Sequence, residues 1–280
     1  MTEKRYVTLP DGERVPAFGQ GTWHMGENRR IAADEEAALT LGIELGLSLI
    51  DTAEMYGSGV AEEIVARAIA GRRDKLFIVS KVLPYNASEQ GVVAACERSL
   101  KRLDTDRIDL YLLHWRGNVP LAETMAGFAR LKRDGKIRHH GVSNFNTEDM
   151  KEWVALSGGD AVAANQILYN LGRRGPEWEL IPWCRERNIA IMAYTPLEQG
   201  RLAGNRALQQ VAARHGASAA QVALAWLLRR DGMIVIPKAT RPDHVRDNCG
   251  ALDVTLDVDD LAALDRTFPP PKGRTPLGML

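Results

Sequence analysis

Four side chains that could together move a proton lie near the ends of apolar segments. Asp51, Lys81 and His114 each end such a segment, and Tyr56 follows Asp51 by a short turn. If these segments are parallel strands of one sheet or barrel, their carboxyl ends meet and the four side chains converge. A phenol normally keeps its proton up to a pKa of about 10. We expect the ammonium of Lys81 to lower that pKa and the carboxylate of Asp51 to keep the lysine charged, which equips Tyr56 as a general acid near neutral pH.

The segments that must position these residues alternate regularly along the chain. Segments with apolar residues at helical spacing, such as 61–70, 92–103 and 121–131, separate short aliphatic or β-branched runs. Strand and helix repeated eight times predict an α/β fold, the parallel (β/α)8 TIM barrel. The eight runs lie near residues 18–21, 47–50, 76–81, 107–113, 137–142, 162–166, 189–194 and 233–236.

Three further segments fall outside the eightfold repeat. An Asp-Gly pair between alternating runs at residues 6–16 predicts an N-terminal β-hairpin that closes the floor of the barrel. Helical patterns at 204–213 and 257–266 predict additional helices. With 280 residues, 45% of them hydrophobic, the chain is long enough for a single barrel domain covering residues 1–280, since such a barrel needs about 250 residues.

Charge, hydropathy and cysteine usage narrow the class of protein. The 36 basic and 36 acidic residues balance, so bulk charge predicts neither nucleic acid nor an anionic membrane as a partner. No apolar stretch approaches the roughly 18 residues of a membrane span, and the first residues lack the apolar core of a signal peptide, so we expect a cytoplasmic protein. We also expect a monomer. Cys96, Cys184 and Cys249 are odd in number and far apart, so we expect buried thiols rather than disulfides or a zinc site.

The residue spacing does not match other known nucleotide-binding or metal-binding motifs. The glycine pairs at 19–21 and 57–59 do not continue into a dinucleotide-binding fingerprint, and neither a Walker A loop nor HExxH occurs. His139 and His140 are neighbours in a predicted strand, where adjacent side chains point to opposite faces. We therefore expect one of them at the surface and the other in the core, and no metal site.

Over essentially its whole length the chain resembles the aldo-keto reductases. The resemblance implies a catalytic tetrad of Asp51, Tyr56, Lys81 and His114, an NADPH cofactor bound without a Rossmann domain, and reduction of aldehydes and ketones to alcohols. Segments 113–117 and 271–277 are most similar to bacterial members that act on methylglyoxal and related small aldehydes. The motifs that carry the resemblance are Gly21-Thr22-Trp23, Asp51-Thr52-Ala53-Glu54-Met55-Tyr56-Gly57, Ser80-Lys81-Val82, Leu112-Leu113-His114-Trp115, Gly141-Val142-Ser143-Asn144-Phe145, Asn165-Gln166, Tyr194-Thr195-Pro196-Leu197 and Ile236-Pro237-Lys238.

Cofactor contacts are expected at the ends of later strands. Ser143, Asn144 and Gln166 could hold the nicotinamide carboxamide, and Tyr194 could stack on its ring. Cations before the helical pattern at 245–248 could meet a phosphate at a helix start, which favours NADPH over NADH. Many relatives have arginine where this chain has His244, and a neutral imidazole holds a phosphate less firmly than a guanidinium, so the preference is expected to be weaker or to depend on pH. The remaining expected cofactor residues are Gly21, Thr22, Trp23, Asp51, Thr195, Leu197, Gln199, Lys238, Thr240, Arg241 and Asn248.

The substrate is expected at the barrel mouth, inside a collar of aromatic side chains. That collar comprises Trp23, Tyr56, Tyr85, His114 and Trp115. The short tail after residue 268 suggests an open pocket suited to small or varied carbonyl compounds. The glycine-rich, cationic segment 169–176 could be a mobile lid, although charges in loops are more often simply solvated.

Two other functions are compatible with these residues. One is a dehydrogenase that oxidises a sugar or polyol. The other is an NADP-binding, redox-sensing regulatory module similar to channel-associated relatives. The intact set of Asp51, Tyr56, Lys81 and His114 favours catalysis over the regulatory role.

Overall fold

A parallel barrel forms the centre of the molecule. The computed structural model describes residues 5–280. Neighbouring strands pair in parallel in chain order, and a bridge between Phe18 and Val235 joins the last strand to the first, so the predicted (β/α)8 barrel is confirmed. The barrel strands are β3 (Gly19–Gly21), β4 (Leu49–Asp51), β5 (Phe77–Val82), β6 (Ile108–Leu113), β7 (Ile137–Ser143), β8 (Ala164–Leu168), β9 (Ala190–Tyr194) and β10 (Met233–Val235). The antiparallel hairpin consists of β1 (Tyr6–Thr8) and β2 (Arg14–Pro16).

Helices surround the barrel and cover the outer face of its strands. Because parallel strands are buried on both faces, they read as nearly continuous apolar runs, and every residue of β5 and β6 is buried. The predicted extra helices are present as α7 and α10, the latter begun by a capping box on Asp257. The helices are α1 (Ala32–Glu44), α2 (Val60–Ile69), α3 (Glu89–Leu103), α4 (Leu121–Arg133), α5 (Thr147–Val154), α6 (Leu180–Arg185), α7 (Arg206–Arg214), α8 (Ala219–Leu228), α9 (Pro242–Cys249) and α10 (Val258–Thr267).

The hairpin is held against the first residues of β7, at the barrel end opposite the strand carboxyl ends. Glu13 Oε2 accepts a hydrogen bond from Arg138 Nη2 at 2.6 Å and lies 2.8 Å from His139 Nε2. Asp11 Oδ2 lies 3.4 Å from Nδ1 of the same imidazole. These two carboxylates and His139 are close enough to hold a metal ion, but the arginine already neutralises Glu13.

The expectation of one surface and one core histidine was wrong. His139 and His140 are each only 5% exposed, because a barrel strand has side chains of the barrel interior on one face and helices on the other. His139 turns to the hairpin carboxylates, while His140 packs against Phe128 and Trp153. Burial lowers the pKa of His140 to about 4, so its imidazole is neutral near pH 7.

The cysteines are free thiols, two of them in the core. Cys96 and Cys184 are buried, whereas Cys249 at the end of α9 is half-buried rather than fully buried as expected. Burial raises the pKa of all three thiols, to about 12, 12 and 11 respectively. Among residues 5–280 no helix is long and apolar enough to cross a membrane.

Candidate active site

The barrel brings the four expected catalytic side chains together at the carboxyl ends of three neighbouring strands. Asp51 is the last residue of β4, Lys81 lies near the end of β5, and His114 follows β6 directly. Tyr56 reaches the same point from the helical turn Tyr56–Gly59. That turn needs a left-handed backbone at Gly57, with a φ of 54°, where a Cβ would come within 2.7 Å of a backbone oxygen.

The ammonium of Lys81 is the centre of this group. It is fully buried, and its Nζ donates to Asp51 Oδ2 at 2.8 Å, to the Thr52 carbonyl at 2.8 Å and to Tyr56 Oη at 3.2 Å. An ammonium has three N–H donors and no acceptor, so the three acceptors match the charged form of the lysine. Because Tyr56 Oη accepts from Lys81, the phenol's own proton is left to point elsewhere.

Burial and ion pairing shift the pKa values of Asp51 and Lys81 in opposite directions. Burial raises the pKa of Asp51, and the charge and hydrogen bond of Lys81 oppose that shift. Burial likewise lowers the pKa of Lys81, and Asp51 opposes it. The short contact and the complete set of acceptors around Nζ favour the charged pair.

The pKa of Tyr56 is shifted in the direction opposite to the one expected from the sequence. Burial raises its pKa well above the ordinary value, and the negative charge of Asp51 raises it further. The expected lowering by Lys81 does not prevail, because the phenol is only 8% exposed and an anion there would lose its hydration. Tyr56 therefore keeps its proton near neutral pH, which is the state that a general acid needs.

The imidazole of His114 is neutral near pH 7. Burial lowers its pKa to about 2, and the nearby Lys81 charge contributes in the same direction. Its ring lies edge-on to Tyr56 at 5.8 Å between ring centres and 5.0 Å from Trp115. Its Nδ1 is buried and has no hydrogen-bond partner within the described part of the chain. A neutral imidazole can donate one hydrogen bond to a substrate oxygen.

A cavity of about 920 Å³ opens over these residues. It runs across the carboxyl ends of the barrel strands, where ligands of this fold bind. Most of the residues predicted for the site line it: Gly21, Trp23, Asp51, Tyr56, His114, Trp115, Ser143, Asn144, Gln166, Tyr194, Thr195, Leu197, Gln199, Lys238, His244 and Asn248.

A hydrogen-bonded network of polar side chains forms one wall of the cavity beside the tetrad. The Tyr194 hydroxyl donates to Asn144 Oδ1 at 2.9 Å, and Asn144 Nδ2 donates to the His114 carbonyl at 3.1 Å. Ser143 Oγ donates to the Gln166 carbonyl at 2.9 Å. The network fixes Asn144 in a left-handed conformation with a φ of 59°, which asparagine tolerates better than most residues. The side chains of this wall are therefore positioned by hydrogen bonds within the protein.

The loop after β9 folds along the cavity in an unusual backbone conformation. Thr195, Glu198 and Gln199 all have positive φ angles, which are costly for residues other than glycine. The buried carboxylate of Glu198 holds the loop, accepting from Asn170 Nδ2 at 2.6 Å and from Arg173 Nε at 2.9 Å. These charge-assisted bonds offset the backbone strain.

At the far end of the cavity, the start of α9 offers positive charge and backbone donors. Lys238 and His244 line the cavity there, with Asn248 one turn further along the helix. Partial burial lowers the pKa of Lys238. Arg241 lies outside the cavity wall, because its guanidinium turns along the exposed surface to Asp243.

Four other predicted site residues also lie outside the cavity wall. Thr22 is buried behind it and donates to the Asp51 carbonyl at 3.0 Å. Tyr85 is 76% exposed in the turn Pro84–Asn86 and does not line the cavity. Thr240 precedes α9 and does not line the cavity. Lys81 does not line the cavity either, but it contacts two residues that do, Asp51 and Tyr56.

The chain's last residues reach the cavity, which the sequence did not reveal. Met279 and Leu280 line it, and the backbone of Leu280 lies close enough to Tyr194 to oppose the rise in the pKa of that phenol caused by burial. The sequence predicted a short tail that leaves the pocket open, whereas the tail contributes two residues to the pocket wall. Arg274 helps to hold the tail, 3.2 Å from Glu179. The other lining residues that sequence reasoning missed are His24, Met55, Pro196, Gly200, Ala203, Ala220, Ile236, Pro237 and Asp247.

The cationic segment 169–176 is anchored rather than a solvated lid. Arg174 is only 7% exposed and donates to both carboxylate oxygens of Glu177, at 2.8 and 2.9 Å. It also donates to Asp265 and stacks over Trp226. Arg173 supports the loop after β9 through its bond to Glu198.

Comparison with known proteins decides the family. The profile described as "Aldo/keto reductase family" matches residues 17–268. The chain belongs to the aldo-keto reductases. This confirms the resemblance found in the sequence and makes the protein an oxidoreductase of that family.

Individual aldo-keto reductases are similar over almost the whole chain. The Escherichia coli K12 protein called methylglyoxal reductase YeaE is 50% identical, covering 99% of this chain and all of the relative. A Bacillus subtilis glyoxal reductase is 34% identical over 94% of this chain and 92% of its own. A Klebsiella pneumoniae aldo-keto reductase, crystallised in complex with NADPH, is 46% identical with a TM-score of 0.96, covering 99% of both chains.

Proposed function

We propose that this aldo-keto reductase uses NADPH to reduce small aldehydes, α-ketoaldehydes such as methylglyoxal, or ketones to alcohols, with Tyr56 as the proton donor. The observation that carries the proposal is the phenol of Tyr56, which lines the cavity while its oxygen accepts from the buried Lys81 ammonium at 3.2 Å. Burial raises the pKa of this phenol, which favours the protonated form that a general acid needs. The reductase names of relatives at 50% and 34% identity support the reaction class.

The residues present fit a phosphorylated dinucleotide. The N-terminal end of α9 has backbone N–H groups and a partial positive charge, and Lys238 and His244 add side-chain donors beside it. Asn248 could meet the adenine, while Ser143, Asn144 and Gln166 would hold the nicotinamide end against the ring of Tyr194. When bound, NADPH supplies a hydride to the carbonyl carbon.

The protein's own residues complete the reduction by moving one proton. Tyr56 Oη gives its proton to the carbonyl oxygen, forming the alcohol and leaving a phenolate. The Lys81 ammonium, already donating to that oxygen, stabilises the phenolate, and Asp51 keeps the lysine charged. Neutral His114 donates a hydrogen bond to the same carbonyl oxygen and stabilises the charge that develops there. Solvent then returns a proton to Tyr56.

The side chains around the reacting centre favour small carbonyl compounds with little charge. Beside Tyr56 and His114, the cavity is lined by Trp23, Trp115 and Met55, with Met279 and Leu280 from the tail. Apolar walls hold a substrate by excluding water, while the tetrad orients its single carbonyl group. The proposal also includes a monomer acting in the cytoplasm, with no nucleic-acid partner, as the sequence predicted.

A panel of carbonyl compounds tests this function. NADPH oxidation is followed by absorbance with methylglyoxal, glyoxal, aromatic aldehydes and simple ketones, and NADP⁺ reduction is followed with sugars and polyols. We expect turnover in the reducing direction, fastest with aldehydes. Faster oxidation of polyols would favour a dehydrogenase, and tight NADPH binding without turnover of any compound would favour the redox-sensing module.

A further inference from the structure

Gln166 contacts the catalytic group as well as the cavity. It is 2% exposed on β8, and its Nε2 donates to Asp51 Oδ1 at 2.7 Å. Lys81 uses the other carboxylate oxygen, Oδ2, at 2.8 Å. The Asp51 carboxylate is therefore held from two sides, by a lysine from β5 and by an amide from the strand across the barrel.

The chemistry of the amide fixes its orientation. An amide oxygen placed 2.7 Å from a carboxylate oxygen would be repelled, so the nitrogen must face Asp51. The same nitrogen lies 2.8 Å from Met192 Sδ, which occupies its second hydrogen. Of the polar atoms of Gln166, the carbonyl oxygen Oε1 remains to accept from a ligand in the cavity.

We propose that Gln166 is a positioning residue for proton transfer, which holds the Asp51 carboxylate so that Lys81 stays between Asp51 and Tyr56. Its role is thus not limited to the cofactor contact expected from the sequence. A ligand that donates to Oε1 polarises the amide and strengthens its donation to Asp51, so occupation of the cavity tightens the catalytic group. The catalytic consequence rests on the proposed reductase function, whereas the contact itself does not.

The charged and titratable groups around Asp51 determine the direction in which its pKa should shift when the Gln166 bond is lost. Lys81 faces it directly, Tyr56 and His114 lie on the cavity side, and Glu62 of α2 acts on Lys81 from behind. Burial raises the pKa of Asp51, and the hydrogen bond from Gln166 is one of the interactions that oppose this rise. Without that bond Asp51 takes up a proton at a higher pH, and Lys81 loses its counter-charge.

The test compares Gln166→Met with Met192→Leu. The first variant keeps an unbranched side chain of similar length but removes the amide, and the second removes only the sulfur contact. In cofactor-free protein, the carboxyl carbon of Asp51 is titrated by NMR after selective carbon-13 labelling, with Asp51→Asn providing the assignment. In the loaded enzyme, kcat, KM and the NADPH dissociation constant are measured across pH.

For Gln166→Met we expect Asp51 to titrate at a higher pH than in wild type, and the acid limb of kcat to move in the same direction. A hydrogen bond to a charged group is worth about tenfold or more, so kcat should fall by roughly that factor while KM changes less. Met192→Leu should match wild type in both measurements.

An Asp51 titration unchanged in Gln166→Met would overturn the inference, whatever happens to cofactor affinity. So would a kcat and pH profile equal to those of wild type with only the NADPH dissociation constant raised, because Gln166 would then act on the cofactor alone. A shifted Asp51 titration in a protein that reduces no carbonyl compound would support the contact and refute the proposed function instead.

Discussion

Replacing Lys81 by methionine should damage both activity and stability, and the stability loss should depend on pH. Methionine keeps an unbranched apolar side chain, one atom shorter than that of lysine, but removes the ammonium. Asp51 is only 2% exposed, and within residues 5–280 its carboxylate then has a single side-chain donor left, the Gln166 amide. Tyr56 loses the cation that stabilises its phenolate, so carbonyl reduction should fall by several orders of magnitude.

The size of the stability loss follows from the burial of the pair. Lys81 is fully buried and solvent screens its contact with Asp51 very little. Removing one partner of a buried ion pair typically costs about 3–5 kcal/mol, because the remaining charge has lost its compensation. In the variant the folded-state pKa of Asp51, already raised by burial, loses the Lys81 interactions that lower it and rises further.

The sign of the pH dependence follows from linkage. A carboxyl group whose folded-state pKa lies above its ordinary value of 3.8 costs nothing while it is protonated in both states. As the pH rises above 3.8, the unfolded chain loses this proton while the folded chain keeps it, so stability falls until the pH has passed the folded-state pKa. The stability difference between wild type and Lys81→Met should therefore be small in acid and grow toward neutral pH.

Urea unfolding, followed by tryptophan fluorescence at a series of pH values, measures this difference. The matched control is the double variant Lys81→Met with Asp51→Asn, which removes both charges. It should recover most of the stability and show little pH dependence, yet remain inactive. A single variant whose stability deficit is the same at all pH values would refute the charged-pair interpretation, as would one that keeps a wild-type rate.

Two further variants test the cofactor end of the cavity. His244→Arg should tighten NADPH by up to about tenfold relative to NADH, because a guanidinium binds phosphate through two parallel hydrogen bonds. Equal shifts for both cofactors, measured by fluorescence titration, would show that His244 does not contact the 2′-phosphate. Glu198→Gln weakens the bonds to Asn170 and Arg173 that hold the strained loop. Stopped-flow fluorescence should therefore show faster NADPH release, together with some loss of unfolding stability because these bonds no longer offset the backbone strain. Release at the wild-type rate would mean that the loop does not control exchange.

The side chains at the carboxyl ends of the barrel strands could be predicted from the sequence. Asp51, Lys81 and His114 could be placed together because the carboxyl ends of parallel strands meet on one face of a barrel. The extra helices and the hairpin were also visible, since helical periodicity and an Asp-Gly turn are local patterns.

The remaining features depend on contacts between distant segments. Nothing in residues 279–280 indicates that they return to the cavity beside Tyr194. The pairing of Arg241 with Asp243 is a local exception, since the two residues are only two positions apart. The pKa of Tyr56 was misjudged because the lysine nearby was considered and the loss of hydration was not. The burial of the Tyr56 phenol depends on segments from the whole barrel, so the residues near it in the sequence do not reveal it.

The most direct test of the account is the behaviour of Tyr56→Phe. The substitution removes the hydroxyl and its proton but keeps the ring, so the cavity walls and Lys81–Asp51 pair remain. Turnover of methylglyoxal and the NADPH dissociation constant are measured on the same preparation. We predict that turnover disappears while the dissociation constant stays within about twofold of wild type. Turnover close to the wild-type rate would show that another group donates the proton and that Tyr56 is not the general acid.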